Sequence, residues 1–251
     1  MEKIILNQIS NPGISFTNDV NEKILALYDF SMRKINDSCT YQQFQEELIN
    51  NNLFSGSYIR SFIPFLYNAG MINDYTDIIN FNNLFTKNGV LYIKTIQSLK
   101  QASESQIDVS ELLNIKKNLL CMSLDFMIKN KYKFYSKYLD ILKFVKEYKT
   151  INREEFYILE YCIQNNLNYR EYIDLNRREK DYFDIYIRAN NDEILSYRSN
   201  NAFNYFVAFL ADEQCNYISK VSHTDYQLNV DREIFLDSVL NEIKKEGGIY
   251  E

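Results

Sequence analysis

Apolar residues recur at three- and four-residue intervals along most of this chain, and short polar breaks separate the runs. Ile24, Leu27, Tyr28 and Met32 share one face of a helix predicted over 19–35, with Asn18 or Asp19 as its cap. The stretch NDSC ends it. Thr40-Tyr-Gln-Gln43 then reads as a capping box, in which each side chain satisfies the other residue's backbone amide. Phe44, Leu48 and Ile49 form the inner face of that second helix. A third is predicted over 57–68, with Ile59, Phe62, Ile63 and Leu66 inside. Pro64 removes an amide donor there and is expected to kink or strain it, and Gly70 is a good stop. Two apolar stretches follow, MINDYTDIINF and LFTKNGVLYI. Asn88-Gly89 between apolar runs signals a tight turn, so a strand pair with a wing is expected here. Three helices followed by such a pair give the element order of a winged helix-turn-helix.

The pattern returns. ILKFVKEYKTINREEFYILEYCI (141–163) carries an apolar helix over 138–148, a break, an Asn152-Arg-Glu-Glu155 capping box, and a second stripe of Phe156, Leu159, Cys162 and Ile163. Set beside residues 28–49 it repeats an architecture at low identity. A third occurrence is a helix over 200–211 (NNAFNYFVAFLA), a strand pair in CNYISKV and YQLNV around a turn at 222–225, and a closing helix over 231–245. The charged stretch 169–191 is read as helical. The expected fold class is mainly α with small β-hairpins (α+β), as tandem winged helix-turn-helix units. The expected units are a winged helix over 1–105, a lysine-rich helix-turn-helix over 106–168, and a helical segment with a winged-helix-like unit over 169–251.

Composition narrows the function classes. The 251 residues are 46% hydrophobic, with only two prolines and six glycines, which favours helices joined by compact turns. No apolar run approaches the length of a membrane span, and MEKIILNQIS lacks the features of a signal peptide, so a cytoplasmic protein without membrane contact is expected. Four scattered cysteines and a single histidine, His223, exclude a clustered structural zinc site. The formal charge of −6 argues against unspecific nucleic-acid binding. Charge is uneven, however. Residues 115–149 hold nine lysines and three acids, whereas 169–251 hold 10 basic and 16 acidic residues.

No nucleophile elbow, P-loop or dinucleotide fingerprint is present. Glu154-Glu155 fits dipole matching at a helix start. Glu242-Ile-Lys244 has the letters of a metal-dependent nuclease but lies in a helical pattern without an acidic strand before it. No catalytic residue, metal ligand or cofactor is therefore assigned to this chain. Recognition remains. In helix-turn-helix proteins the second helix of the motif enters the major groove, where Arg pairs with guanine and Asn with adenine. Ser57, Tyr58, Arg60 and Ser61 open the third helix and suit a groove-facing start, with an ordinary helix start carrying a surface Arg as the rival reading. Arg198, Asn200, Asn201 and Asn204 play the same part in the third unit, with plain helix capping as the rival reading. Lys87 and Asn88 at the wing tip, and Lys129, Lys131, Lys133 and Lys137, are candidates for phosphate contact; a solvated helix face is the alternative for the lysines.

Three segments carry a resemblance: SYIRSFIPFLYNAGMI (57–72) with TKNGVLYI (86–93), ILKFVKEYKTINREEFYIL (141–159), and NYFVAFLADEQCNYI (204–218) with YQLNVDREIFLDSVLNEI (226–243). Together they resemble the N-terminal DNA-recognition region of type IIS restriction endonucleases of the AlwI kind, including their nicking relatives. The resemblance implies a sequence-specific double-stranded DNA-binding module or subunit. In that family a nuclease domain follows, so cleavage, and the magnesium it needs, are expected only from a separate part, and a nuclease subunit is a possible partner. The competing reading is a winged-helix protein-interaction subunit of a DNA-associated or defence complex.

Overall fold

The structure is a computed structural model and describes residues 2–10, 14–105, 107–129, 136–179, 182–211 and 213–245. In chain order its elements are β1 (Glu2–Asn7), α1 (Asn18–Arg33), β2 (Ser38–Thr40), α2 (Tyr41–Asn50), α3 (Gly56–Asn68), β3 (Ile78–Asn80), α4 (Lys87–Glu104), α5 (Ser110–Lys129), α6 (Ser136–Tyr148), β4 (Thr150–Asn152), α7 (Arg153–Gln164), α8 (Tyr169–Arg178), β5 (Phe183–Arg188), β6 (Ile194–Ser196), α9 (Ala202–Leu210), β7 (Ile218–Lys220), β8 (Asp225–Leu228) and α10 (Glu233–Lys245). The fold class is α+β: mostly helix, with three small sheets among the described residues, ordered β1-β5-β6, β2-β3 and β4-β8-β7.

The chain divides into two compact units. A helical unit spans Pro12–Ser136 with Glu213–Cys215, and a split unit is assembled from Met1–Asn11, Lys137–Asp212 and Asn216–Glu251. This grouping departs from the three expected units, for two reasons. First, α4 and α5 pack together and stay with α1–α3. Second, β4 pairs antiparallel with β8, Ile151 opposite Tyr226, so the expected second and third units share one sheet. A three-residue strand cannot satisfy its backbone alone, and β8 supplies its partner.

The helical unit is set by its caps and its aromatic core. Thr40 and Gln43 form the expected capping box on α2. The cap of α1 is Thr17, not Asn18 or Asp19; its side chain accepts from the Val20 amide. Gly70 adopts a φ of +65° after α3, which Gly reaches without a Cβ penalty. Phe16, Phe65 and Tyr92 meet at ring separations of 5.0 and 5.4 Å. The enclosed Tyr92 hydroxyl donates to Asn21 Oδ1 at 2.8 Å.

The expected wing at 86–93 is instead the first two turns of α4. Thr86 caps it by accepting from the Gly89 amide at 3.0 Å, and its hydroxyl donates to the Gly70 carbonyl at 2.6 Å. Tyr92, Ile93 and Ile96 then fall on the buried face. Gly89 is required for space rather than for a turn: a β-carbon there would stand 2.0 Å from the Met71 carbonyl oxygen. The strand that pairs with β2 is β3, eight residues earlier, with Cys39 opposite Ile79.

In the split unit, Asn152 and Glu155 form the expected capping box on α7. Buried Glu155 also receives Arg177 Nε of α8 at 2.6 Å, while Arg177 lies 4.7 Å over the Tyr148 ring. Stretch 169–191 is helical only to Arg178. From Phe183 to Ile187 buried and part-exposed positions alternate, and β5 pairs in parallel with β1, Ile4 opposite Ile185. Alternation of period two overrides the local charge pattern once a partner strand is available. Phe156 meets Phe203 and Phe206 at 5.6 and 6.0 Å, which fixes α9 against α7.

Candidate nucleic-acid interface

In the helical unit the candidate surface is the start of α3. Ser55 caps the helix by accepting from the Tyr58 amide, and Ser61 Oγ donates to the Tyr58 carbonyl at 3.0 Å. Ser57, Arg60 and Ser61 are all exposed. Their spacing of three and four residues puts them on one outward face. Arg60 makes no ion pair or hydrogen bond with any described residue, so its five donors remain available. Tyr58 turns the other way. Its ring stacks on Phe62 at 5.1 Å under Lys23 Nζ, and its enclosed hydroxyl has no hydrogen-bond partner. Burial and the nearby Asp19 push the phenol up to about 12. Tyr58 is therefore a packing residue that holds the helix start in place.

Lys87 and Asn88 are separated by the replacement of the wing with α4. Lys87 is exposed in the first turn of that helix. Asn88 is turned inward, and its Nδ2 donates to Ser123 Oγ at 3.3 Å.

In the split unit the turn at Tyr197–Ser199 that precedes α9, the start of α7 and the β7–β8 hairpin line an open cleft of about 340 Å3 with Asn152, Arg153, Glu154, Tyr197, Arg198, Thr224 and Asp225. The predicted residues divide here. Asn200 acts as a cap: its Oδ1 accepts from the Ala202 amide at 2.8 Å and from the Tyr157 hydroxyl at 2.9 Å. Asn201 and Asn204 are exposed, three residues apart on the outer face. Arg198 is exposed beside Tyr197. The sequence reading missed Arg153. Its Nη2 donates to Asn204 Oδ1 at 2.7 Å, and its Nε is enclosed without a partner. The signal was present as a cation one residue after a recognised cap, but nothing local placed it against a residue 51 positions away.

Four of the seven described lysines of 115–149 are paired within the chain. Lys129 pairs with Asp125 at 3.0 Å, Lys149 with Glu233 at 2.6 Å, Lys146 with Asp237, and Lys137 with the fully enclosed Glu160. Lys116 is half-buried, and desolvation lowers its pKa. Lys131 and Lys133 lie outside the described residues. Asp140 sits close to Glu160; burial first, then that neighbouring carboxylate, raise it to about 6, while Lys143 and Lys137 act in the opposite sense.

Among the described residues no group of three or more His, Cys, Asp or Glu is placed to hold a metal ion, and no described helix is long and apolar enough to cross a membrane. Comparison with protein-family models, with curated proteins and with solved structures found no match.

Proposed function

We propose that this chain is a sequence-specific double-stranded DNA-binding module, the recognition part of a type IIS-like restriction or nicking endonuclease whose cleavage is supplied elsewhere. The observation that carries this reading is the outward face of α3, where Ser57, Arg60 and Ser61 stand exposed at a capped helix start, the guanidinium in no ion pair or hydrogen bond with a described residue. An exposed Arg one turn into a helix is the side chain that reads guanine bidentately from the major groove. The Asn201 and Asn204 face of α9 supports the same role in the split unit. The winged-helix reading is supported there by the run α6, β4, α7, α9, β7, β8, with the hairpin strand β8 central in the sheet and α8, β5 and β6 inserted before α9. In the helical unit it is supported by α1, β2, α2, α3 and the β2–β3 pair.

A second reading, a protein-interaction subunit of a DNA-associated or defence complex, is favoured by the charge balance. The net charge is −6, and the ion pairs of Lys129, Lys137, Lys146 and Lys149 reduce the positive charge facing solvent.

Binding to a random duplex library at low salt separates the two. Recovery of a short shared sequence supports DNA recognition, and equal recovery of all duplexes, or none, sinks it. Arg60→Ala is expected to weaken binding to the selected sequence by about 1–3 kcal/mol and to relax one base position. A loss that is uniform over all sequences would instead mark a phosphate contact.

A further inference from the structure

The face of α5 opposite its buried side carries a pattern of its own. Leu119, Leu120, Ser123, Leu124, Met127 and Ile128 are its inward residues. Along the other side run Glu111, Ile115, Asn118, Met122, Asp125 and Lys129, spaced four, three, four, three and four. That is the spacing of a helix–helix seam, in which positions a and d recur every seven residues. Three apolar residues on this side face solvent: Ile115 at 48%, Met122 at 57% and, flanking the seam, Phe126 at 42% exposed. Phe126 is already held in place, since its ring lies against Gly70 so closely that a β-carbon there would stand 3.0 Å from it.

We propose that this seam is the contact between two copies of the chain, with their α5 helices antiparallel about a two-fold axis near residue 120. The charges at its ends set the direction. A parallel pair would place Glu111 beside Glu111 and Lys129 beside Lys129. The antiparallel pair places Glu111 of each copy against Lys129 of the other, twice by symmetry. The same axis brings Asn118 against Met122, and Ile115 against Phe126 and the Asp125 stem. Glu111 has no cationic partner among the described residues. Lys129 lies 3.0 Å from Asp125 of its own chain, and in the pair it sits between that carboxylate and the incoming one. Opposed helix dipoles add to the preference for this direction. A 20-residue helix gives about 30 Å of contact, a small interface, so weak, concentration-dependent association is expected. The pairing does not depend on DNA recognition.

Sedimentation velocity on the whole chain tests it, over a protein range of about 1–300 µM, where weak association is detected by mass action. The mass is expected to rise with concentration from 30.0 kDa toward twice that value. Met122→Lys is expected to abolish the rise. Glu111→Lys and Lys129→Glu are each expected to weaken association about tenfold, because each reverses two symmetric contacts. Both substitutions together are expected to restore most of the loss. All the altered side chains are exposed or half-exposed, and circular dichroism should show each variant folded. A monomer at every concentration overturns the proposal. So does a dimer insensitive to Met122→Lys, or one that the double charge exchange fails to rescue.

Discussion

Arg60 and Glu160 show how differently single charges are used. Arg60 stands exposed and unengaged, whereas Glu160 is fully enclosed and balanced by Lys137. Removing one member of a buried pair is costly, so Lys137→Met should destabilise the protein by about 3–5 kcal/mol in urea unfolding. A variant of normal stability would show that Glu160 is held protonated. Asp140, beside them, has its pKa raised from 3.8 to about 6. Its folded form binds its proton more tightly than the unfolded chain does. It therefore contributes stability at low pH, and that contribution is lost as pH rises between about 4 and 6. Asp140→Asn should remove this loss, so the variant gains on the parent by about 1–3 kcal/mol between pH 4.5 and pH 7. A constant difference between the two proteins over that range would contradict the raised value. The local rules read both capping boxes and Gly70 directly from the sequence, because caps and left-handed stops involve residues within four positions. Arg153 was not legible, since its partner Asn204 is brought to it only by the packing of α9 on α7.

At the scale of elements, the helices were legible because their apolar period of 3.6 is local. The strands were less so. β1 is buried only where it meets β5, 181 residues ahead, and β5 lies in a run of charges that reads as helix until a partner strand exists. Asn-Gly at 88–89 misdirects for another reason. The pair fits a tight turn, yet Thr86 is a good cap and Gly89 is needed to clear the Met71 carbonyl. This makes a sharp comparison. Gly89→Ala should cost about 2–4 kcal/mol, since backbone must move to admit the methyl group. Gly56→Ala, whose β-carbon would meet only Ile49 Cδ1 at 3.4 Å, should lie within about 1 kcal/mol of the parent. Thermal unfolding followed by circular dichroism distinguishes them, and equal effects would refute the placement of α4 against Met71.

For the whole molecule, the charge map drawn from sequence was right in number but not in availability. The excess of lysine over 115–149 is real, and four of those lysines are held by Asp125, Glu160, Asp237 and Glu233. Ion pairing of this kind leaves few cations to displace counterions from DNA. The slope of log K against log salt should be shallow, smaller in magnitude than about 4. A slope near 8 would mean that the internal pairs open on binding. β4 and β8 are 73 residues apart from Asn152 to Asp225, and only their pairing reveals that these two strands belong to one sheet. The central claim, that exposed polar faces at the starts of α3 and α9 read base sequence, is tested most directly by comparing the duplexes selected by the parent with those selected by Arg60→Ala and by Asn204→Ala. The account predicts one shared sequence for the parent and the loss of a different base position in each variant. Absence of any selected sequence, or variants that weaken all duplexes alike, would contradict it.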